Sequence, residues 1–378
     1  MERQNTGLGI LDGEGSTREL LRAFLAQVPR KDQILMDWIA SHEKSRVWIF
    51  GAAGIGIAVK RALAAHGISA YSFCDNDSDK VGILVDGLPV RSFSELCQDQ
   101  DRIVLVAIWK YFDEILRQCE EAGVEIWDAA LLGGVVFDTM EDSCDFISDH
   151  LPQLDNICQR LADERSAQVY RASLAVRLFR QRGGMKHFRS PAQYIEPEIV
   201  PLRSRETVFI CGAGNGVAAV QIDRATEESI RLHLFEPDEE NFSQLCATVG
   251  QMRDVHCIKK GVGRKSEHLP FCGGMGENGT FSAVGDRTAQ VVSIDDYVNG
   301  TGSVPTYITM DIEGWEMEAL RGAEKTILRH KPKLAVSLYH RASDFVNIPE
   351  YVLGLRPDYD IYVRHYTDSF SDTVAYFV

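Results

Sequence analysis

The chain is short of several things, and each shortage removes a class of function. Basic residues are outnumbered, 40 Lys and Arg against 55 Asp and Glu, for a formal net charge of −15. So acidic a protein is poorly suited to gripping a phosphate backbone, and nucleic acid is not an expected partner. No apolar run approaches the ~20 residues of a membrane span, so no membrane partner is expected either. The nine cysteines are scattered, with no Cys-x-x-Cys pair and no Cys/His spacing of a zinc site. Cys211 and Cys257 fall in apolar runs, Cys119 and Cys158 in helix-like stretches. All four read as buried thiols of a reduced, cytoplasmic protein. Met1–Gly15 is polar and glycine-rich and does not read as a secretory signal.

What is present is the composition of a soluble globular protein, 45% hydrophobic and 25% charged over 378 residues, a length that suggests two domains. Two strand–glycine turn–helix openings stand out. The first, RVWIFGAAGIGIAVK (Arg46–Lys60), carries Gly51, Gly54 and Gly56 and is preceded by helix-like segments at Glu19–Gln27 and Gln33–His42. A helix near Ile57–Ala65, a run Ala70–Cys74 ending on Asp75, a GLPV turn, a strand Arg102–Ile108 and a helix Tyr111–Ala122 follow. This alternation predicts a small parallel α/β domain. Asp155–Arg182 has helical periodicity and no glycine, and reads as a helical connector; Gly183, Gly184, Pro191, Pro197 and Pro201 then break the chain into loops.

The second opening is TVFICGAGNGVAAV (Thr207–Val220). Strands are predicted at Thr207–Cys211, Leu232–Phe235, Val255–Lys259, Tyr307–Asp311, Leu334–Tyr339, Asp360–Tyr366 and Thr373–Val378. The last two are joined only by TDSFSD, so an antiparallel hairpin should end the sheet. The expected layout is N-terminal helices over 1–44, a Rossmann-like α/β domain over 45–140, a helical connector over 141–205 and a seven-stranded Rossmann-like domain over 206–378.

The glycines of the second turn alternate, G-x-G-x-G at Gly212, Gly214 and Gly216, and Glu236 ends the next strand about twenty residues on. A dinucleotide site uses G-x-G-x-x-G to seat a pyrophosphate. The alternate spacing suits an adenosine cofactor without one, such as S-adenosylmethionine, with Glu236 accepting from the ribose hydroxyls. In YITMDIEGWE (Tyr307–Glu316) a strand delivers Asp311 and Glu313 at its carboxyl end, where open α/β sheets bind ligands. The other reading of those acids is a helix N-terminus favoured by the dipole.

The ordered set GAGNG, LFEP, SIDDYV, TMDIEGWEMEALRGAE, KPKLAVSLYHR and VRHY…DTVAYFV resembles FkbM-type S-adenosylmethionine-dependent methyltransferases over roughly residues 190–378. The resemblance implies O-methylation of a sugar, glycan or natural product, with Gly212, Ala213, Gly214, Gly216, Glu236, Pro237 and Asp311 around the cofactor. Two departures from the family pattern stand out: Ile210 where an Asp is usual, and Thr309 where a Lys is frequent. The N-terminal motifs IFGAAGIG, FCDNDSDKVG and GLPV resemble a nucleotide-binding-like domain found ahead of some sugar-modifying enzymes, with Asp75 as its ribose candidate.

Methyl transfer to a hydroxyl needs a base for the departing proton. His340, with a reference pKa near neutrality, is the first choice, and Asp311 and Glu313 are alternatives. Asp311 could instead hold a divalent metal. Arg364, His365, His187 and Gln193–Tyr194 are weaker candidates near the hairpin or before the first strand. The expected partner is a small-molecule or glycan acceptor, a nucleotide-sugar included, and a homo-oligomer is left open. Two other functions remain at this stage: a non-catalytic nucleotide-sugar-binding or assembly protein, and a nicotinamide-dependent oxidoreductase built on the first turn. Against the last, residues 45–135 carry no Tyr-x-x-x-Lys.

Overall fold

The computed structural model describes residues 17–27, 38–42, 44–108, 111–129, 140–179, 185–226, 230–272, 279–281, 287–368 and 370–378. Residues 33–37 of the second expected helix, and Gly183 and Gly184, lie outside them. The chain forms two compact units, one of residues 27–144 and one of residues 1–26 with 145–378.

In the first unit, strands β1 (Arg46–Phe50), β2 (Ala70–Cys74), β3 (Leu84–Val85), β4 (Leu88–Arg91), β5 (Arg102–Val106) and β6 (Trp127–Asp128) form one sheet in the order β3-β4-β2-β1-β5-β6. All pairings are parallel except β3 with β4. Successive side chains on a strand point to opposite faces. Val47 and Ile49 therefore join one buried cluster, while Trp48 and Phe50 join another. Both faces are covered, as a parallel sheet requires. The GLPV stretch read as a turn in fact supplies strand β4, because Val90 pairs with Phe73.

The second unit is built on seven strands: β7 (Thr207–Cys211), β8 (Arg231–Phe235), β9 (Val255–Ile258), β14 (Tyr307–Met310), β15 (Lys333–Ser337), β16 (Ile361–His365) and β17 (Thr373–Phe377). Their order is β16-β17-β15-β14-β7-β8-β9, and β17 runs antiparallel to both of its neighbours. The fold is Rossmann-like α/β with the expected terminal hairpin. A second, four-stranded sheet contains β10 (Gly261–Val262), β11 (Glu267–Cys272), β12 (Thr280–Phe281) and β13 (Arg287–Val292). Its short strands gave no periodicity strong enough to read in the sequence.

The helical stretch read as a connector is two helices, Leu151–Gln159 and Glu164–Phe179, within the second unit. On the second helix Tyr170, Ala172, Leu174, Ala175 and Leu178 are all fully buried. Every position from Ala172 to Leu178 is buried, so this half of the helix lies inside the core. Its start is fastened to the hairpin: the Ser166 hydroxyl accepts from Val363 N–H at 2.9 Å, and the Arg364 guanidinium reaches Asp163 at 2.7 Å. That guanidinium holds Asp163 low, at about 2, despite partial burial. Among the described residues no helix is long and apolar enough to cross a membrane.

Two of the sequence motifs prove to be packing devices. Asp295 of SIDDYV accepts from the backbone N–H groups of Lys325 and Thr326 at the start of helix Glu324–His330. Gly322 of LRGAE lets the chain approach the Gly263 carbonyl oxygen, which a β-carbon would meet at 2.0 Å.

The register of β7 and β14 explains the two departures from the family pattern. Ile210 and Thr309 are direct cross-strand partners, 2% and 1% exposed. A carboxylate alone at position 210 would be a buried, unpaired charge, and a lysine alone at 309 would be another. This chain has a neutral pair there. Ile210→Asp is therefore expected to destabilise by about 3–5 kcal/mol, the usual cost of an uncompensated buried charge. Adding Thr309→Lys should recover a large part. Urea unfolding of the single and double variants measures this, and a double variant no more stable than Ile210→Asp would contradict it.

Gly212 generates a further expectation. Its φ is +81°, and a β-carbon there would lie 1.9 Å from the Asp311 carbonyl oxygen. Gly212→Ala should cost more than about 3 kcal/mol, beyond the common range of single substitutions. Thermal unfolding would show it as a large drop in Tm.

Candidate active site

The glycine turn follows β7 directly. Gly212 N–H and Ala213 N–H both donate to the Phe235 carbonyl at 3.0 Å, drawing the turn against the end of β8. Glu236, the next residue on that strand, completes the closure. Its carboxylate accepts from Gly214 N–H at 2.9 Å through one oxygen and from Asp238 N–H at 2.9 Å through the other. Burial pushes Glu236 up to about 7, against the pull of these donors. The Asn241 side chain hydrogen-bonds the same carboxylate, which has lone pairs for one more donor. At Gly214 a β-carbon would meet nothing within 4 Å, so open space lies beside the turn. Gly216 caps helix Val217–Arg224 in the left-handed region, and Pro237 is half-buried beyond Glu236.

Asp311 lies on the other side of Gly212. Its backbone N–H donates to the Cys211 carbonyl at 3.1 Å, so the two strand ends meet. The Tyr194 hydroxyl donates to one carboxylate oxygen at 3.1 Å and the Tyr339 hydroxyl to the other at 2.9 Å. The side chain remains 23% exposed. Desolvation by its surroundings raises its pKa to about 7; His340 opposes the rise, and Asp372, Glu313 and Glu316 add to it.

His340 sits at the centre of the acids. Its Nε2 is 3.5 Å from both Asp311 and Glu313, and its Nδ1 is 3.0 Å from Glu316. Glu316 also accepts from Ile312 N–H at 2.9 Å. Although full burial works against the charge, the three carboxylates hold the His340 pKa well above its ordinary value. A buried imidazolium has no lone pair to take a substrate proton. The ring is instead the counter-ion that lets three carboxylates sit together. Glu313 reaches it from a left-handed backbone, φ +57°, unusual for a residue with a side chain and typical of functional sites.

Asp311, Glu316 and His340 also place one ligand atom each within 4.8 Å of one another, close enough to hold a metal ion. A proton on the His340 ring and a metal ion would compete for that place, since a ring nitrogen that carries a proton has no lone pair to offer a metal.

Sequence reasoning missed Glu316, Tyr339 and Arg177. Arg177, 3% exposed on helix Glu164–Phe179, donates to the carbonyl oxygens of Tyr339 at 2.6 Å and His340 at 3.1 Å. It fixes the strand end that aims both side chains. A lone arginine in the apolar stretch SLAVRLF was the available signal. Tyr194, flagged only as a segment before the first strand, has φ +66° and is anchored by Tyr376 as well as touching Asp311. Other candidates lie elsewhere. Arg364 holds Asp163, and His365 pairs with the Thr373 hydroxyl at 2.8 Å. His187 is exposed on the turn Lys186–Phe188. In the other unit, Asp75 accepts from Ala52 N–H at 2.9 Å and Asp77 N–H at 3.0 Å, repeating the pattern of Glu236.

Comparison with known proteins fits this arrangement. No curated protein matches the chain. The crystal structure of methyltransferase FkbM from Methylobacillus flagellatus KT is similar over 96% of this chain and 99% of that one, with 25% identity and a TM-score of 0.72. Aeropyrum pernix fibrillarin bound to S-adenosyl-L-methionine aligns over 47% of this chain and 69% of its own, at 13% identity and TM-score 0.34. A precorrin-6y C5,15-methyltransferase from Geobacter metallireducens GS-15 aligns over 47% and 80%, at 11% and 0.29. The last two superpose too loosely to bear on function. The methyltransferase FkbM domain model matches residues 211–369, which contain the glycine turn, Glu236, Asp311, Glu313, Glu316 and His340, and the chain therefore carries an FkbM-type methyltransferase domain.

Proposed function

We propose that the second unit transfers a methyl group from S-adenosylmethionine to a hydroxyl of a sugar, glycan or natural product, with Asp311 as the base. The observation that carries this reading is the adjacency of a cofactor turn and a tuned carboxylate. The backbone of Asp311 touches Gly212, while its side chain has a pKa of about 7 and is partly open. When bound, the cofactor supplies an electrophilic methyl on a cationic sulfur that departs as a neutral thioether. Glu236 would bind the ribose, and the open space at Gly214 would admit the adenosine. Tyr194 and Tyr339 hold the Asp311 carboxylate in one orientation. As the acceptor oxygen bonds to the methyl carbon, its proton passes to Asp311. A base of pKa near the working pH is the efficient choice, and such a base is worth about 10²–10⁴-fold.

Isothermal titration with S-adenosylmethionine, S-adenosylhomocysteine and NAD tests the cofactor. The two adenosyl compounds should bind and NAD should not. Glu236→Gln should weaken both by at least tenfold. Gly214→Ala should do likewise while costing only about 1 kcal/mol of stability, since φ is left-handed but the space is open. Binding of NAD alone would sink the proposal.

The pH dependence has a definite sign. Asp311 accepts a proton only as a carboxylate, so kcat should rise with pH through an apparent pKa near 7. Its raised pKa also means that the folded state binds the proton more tightly than the unfolded one. This contribution to stability is complete below about pH 4 and is lost as pH rises through about 7. Asp311→Asn should lower kcat by about 10²–10⁴-fold without weakening S-adenosylhomocysteine binding by a comparable factor. A variant of undiminished kcat would remove Asp311 from the role.

A further inference from the structure

A cleft of about 540 Å³ opens between helices Glu316–Arg321 and Asp344–Leu355, with Gly314, Arg321, Arg341, Asn347, Glu350 and Tyr351 in its lining. That size is within the ~300–1,000 Å³ of small-molecule sites. Ser343, Asn347 and Glu350 recur at helical spacing, so one face of the second helix forms a wall. Gly314 and the Arg341 guanidinium meet in the lining, a guanidinium nitrogen lying 3.4 Å from where a Gly314 β-carbon would stand. Gly314 directly follows Glu313, and Arg341 directly follows His340. Two residues of the cleft lining are thus direct chain neighbours of the carboxylate cluster.

Its charges are unevenly satisfied. Arg321 and Glu318 pair with each other. Asp344 is buried, accepts from the Arg341 backbone N–H at 2.9 Å, and is pushed up to about 7 by burial. The exposed Arg341 guanidinium makes no hydrogen bond or ion pair with a described residue. Asn347 and Glu350 are exposed further along. The lining therefore offers a planar fork of donors together with an amide and a carboxylate. A guanidinium fork matches a carboxylate or phosphate through paired hydrogen bonds. Amide and carboxylate groups suit ring hydroxyls.

We propose that this cleft is the acceptor subsite and that Arg341 selects hydroxyl-rich rings carrying an anionic group. The word acceptor rests on the methyl-transfer reading, whereas binding in the cleft can be measured without it. A uronate and a sugar phosphate offer the same chemistry to Arg341. The test titrates glucuronate, glucose 1-phosphate and glucose into the full chain by calorimetry, with and without S-adenosylhomocysteine, and repeats the series with Arg341→Gln. Both anionic sugars are expected to bind at least tenfold more tightly than glucose, and the tighter of the two identifies the anion preferred. Arg341→Gln should abolish that preference while leaving the affinity for S-adenosylhomocysteine within about twofold. Equal binding of glucose and the anions, or a preference that survives Arg341→Gln, would overturn the inference. If the Arg341-dependent preference appears but S-adenosylhomocysteine does not bind, the cleft stands as an anionic-sugar site and the methyl-donor reading falls.

Discussion

The carbonyl oxygen of Asp311 occupies the place where a side chain on residue 212 would begin, and the geometry of the whole site follows from that contact. Because nothing projects from Gly212, the ends of β7 and β14 close together. The glycine turn is then clamped from one side by Asp311 and from the other by the Phe235 carbonyl and the Glu236 carboxylate. Positioning of this kind is where much of an enzyme's advantage in a displacement reaction lies. Here it is achieved by backbone packing, before any side chain takes part.

A second constraint is electrical. Asp311, Glu313 and Glu316 gather around His340, with Asp344 nearby pushed up by burial and by Glu316. Carboxylates so close would repel one another strongly at low dielectric. One imidazolium, and the high proton affinities of Asp311 and Asp344, relieve the repulsion. On the neighbouring strands Ile210 and Thr309 form a neutral buried pair. The site tolerates charge only where charge is answered.

Much of this was legible in the sequence. The β7 turn, the strand ends at Glu236 and Asp311 and the closing hairpin all announced themselves through alternation and glycine spacing, because local backbone geometry dictates those signals. The role of His340 was not legible. Its residue type pointed to a base, but its charge state depends on Glu316, placed a helical turn beyond Asp311 and turned inward by the bond from Ile312. Arg177 and Tyr194 were hidden for a related reason. They act on the site from more than a hundred residues away, and no local pattern reports a contact at that separation. The small sheet at 261–292 was missed because two of its strands are only two residues long.

The helix Glu164–Phe179 lies wholly before the stretch that the domain family spans, yet it fastens to the last strands of the chain through Arg364 and Val363, and Tyr194 leans on Tyr376. These partners are separated by nearly two hundred residues in sequence. On a ribosome the helix therefore emerges long before the surface that will cover it exists. Its apolar flanks must wait, or be sheltered, until β16 and β17 have been made. Completion of the site is thus tied to the end of synthesis of this unit, and contacts of such long range predict slow final assembly.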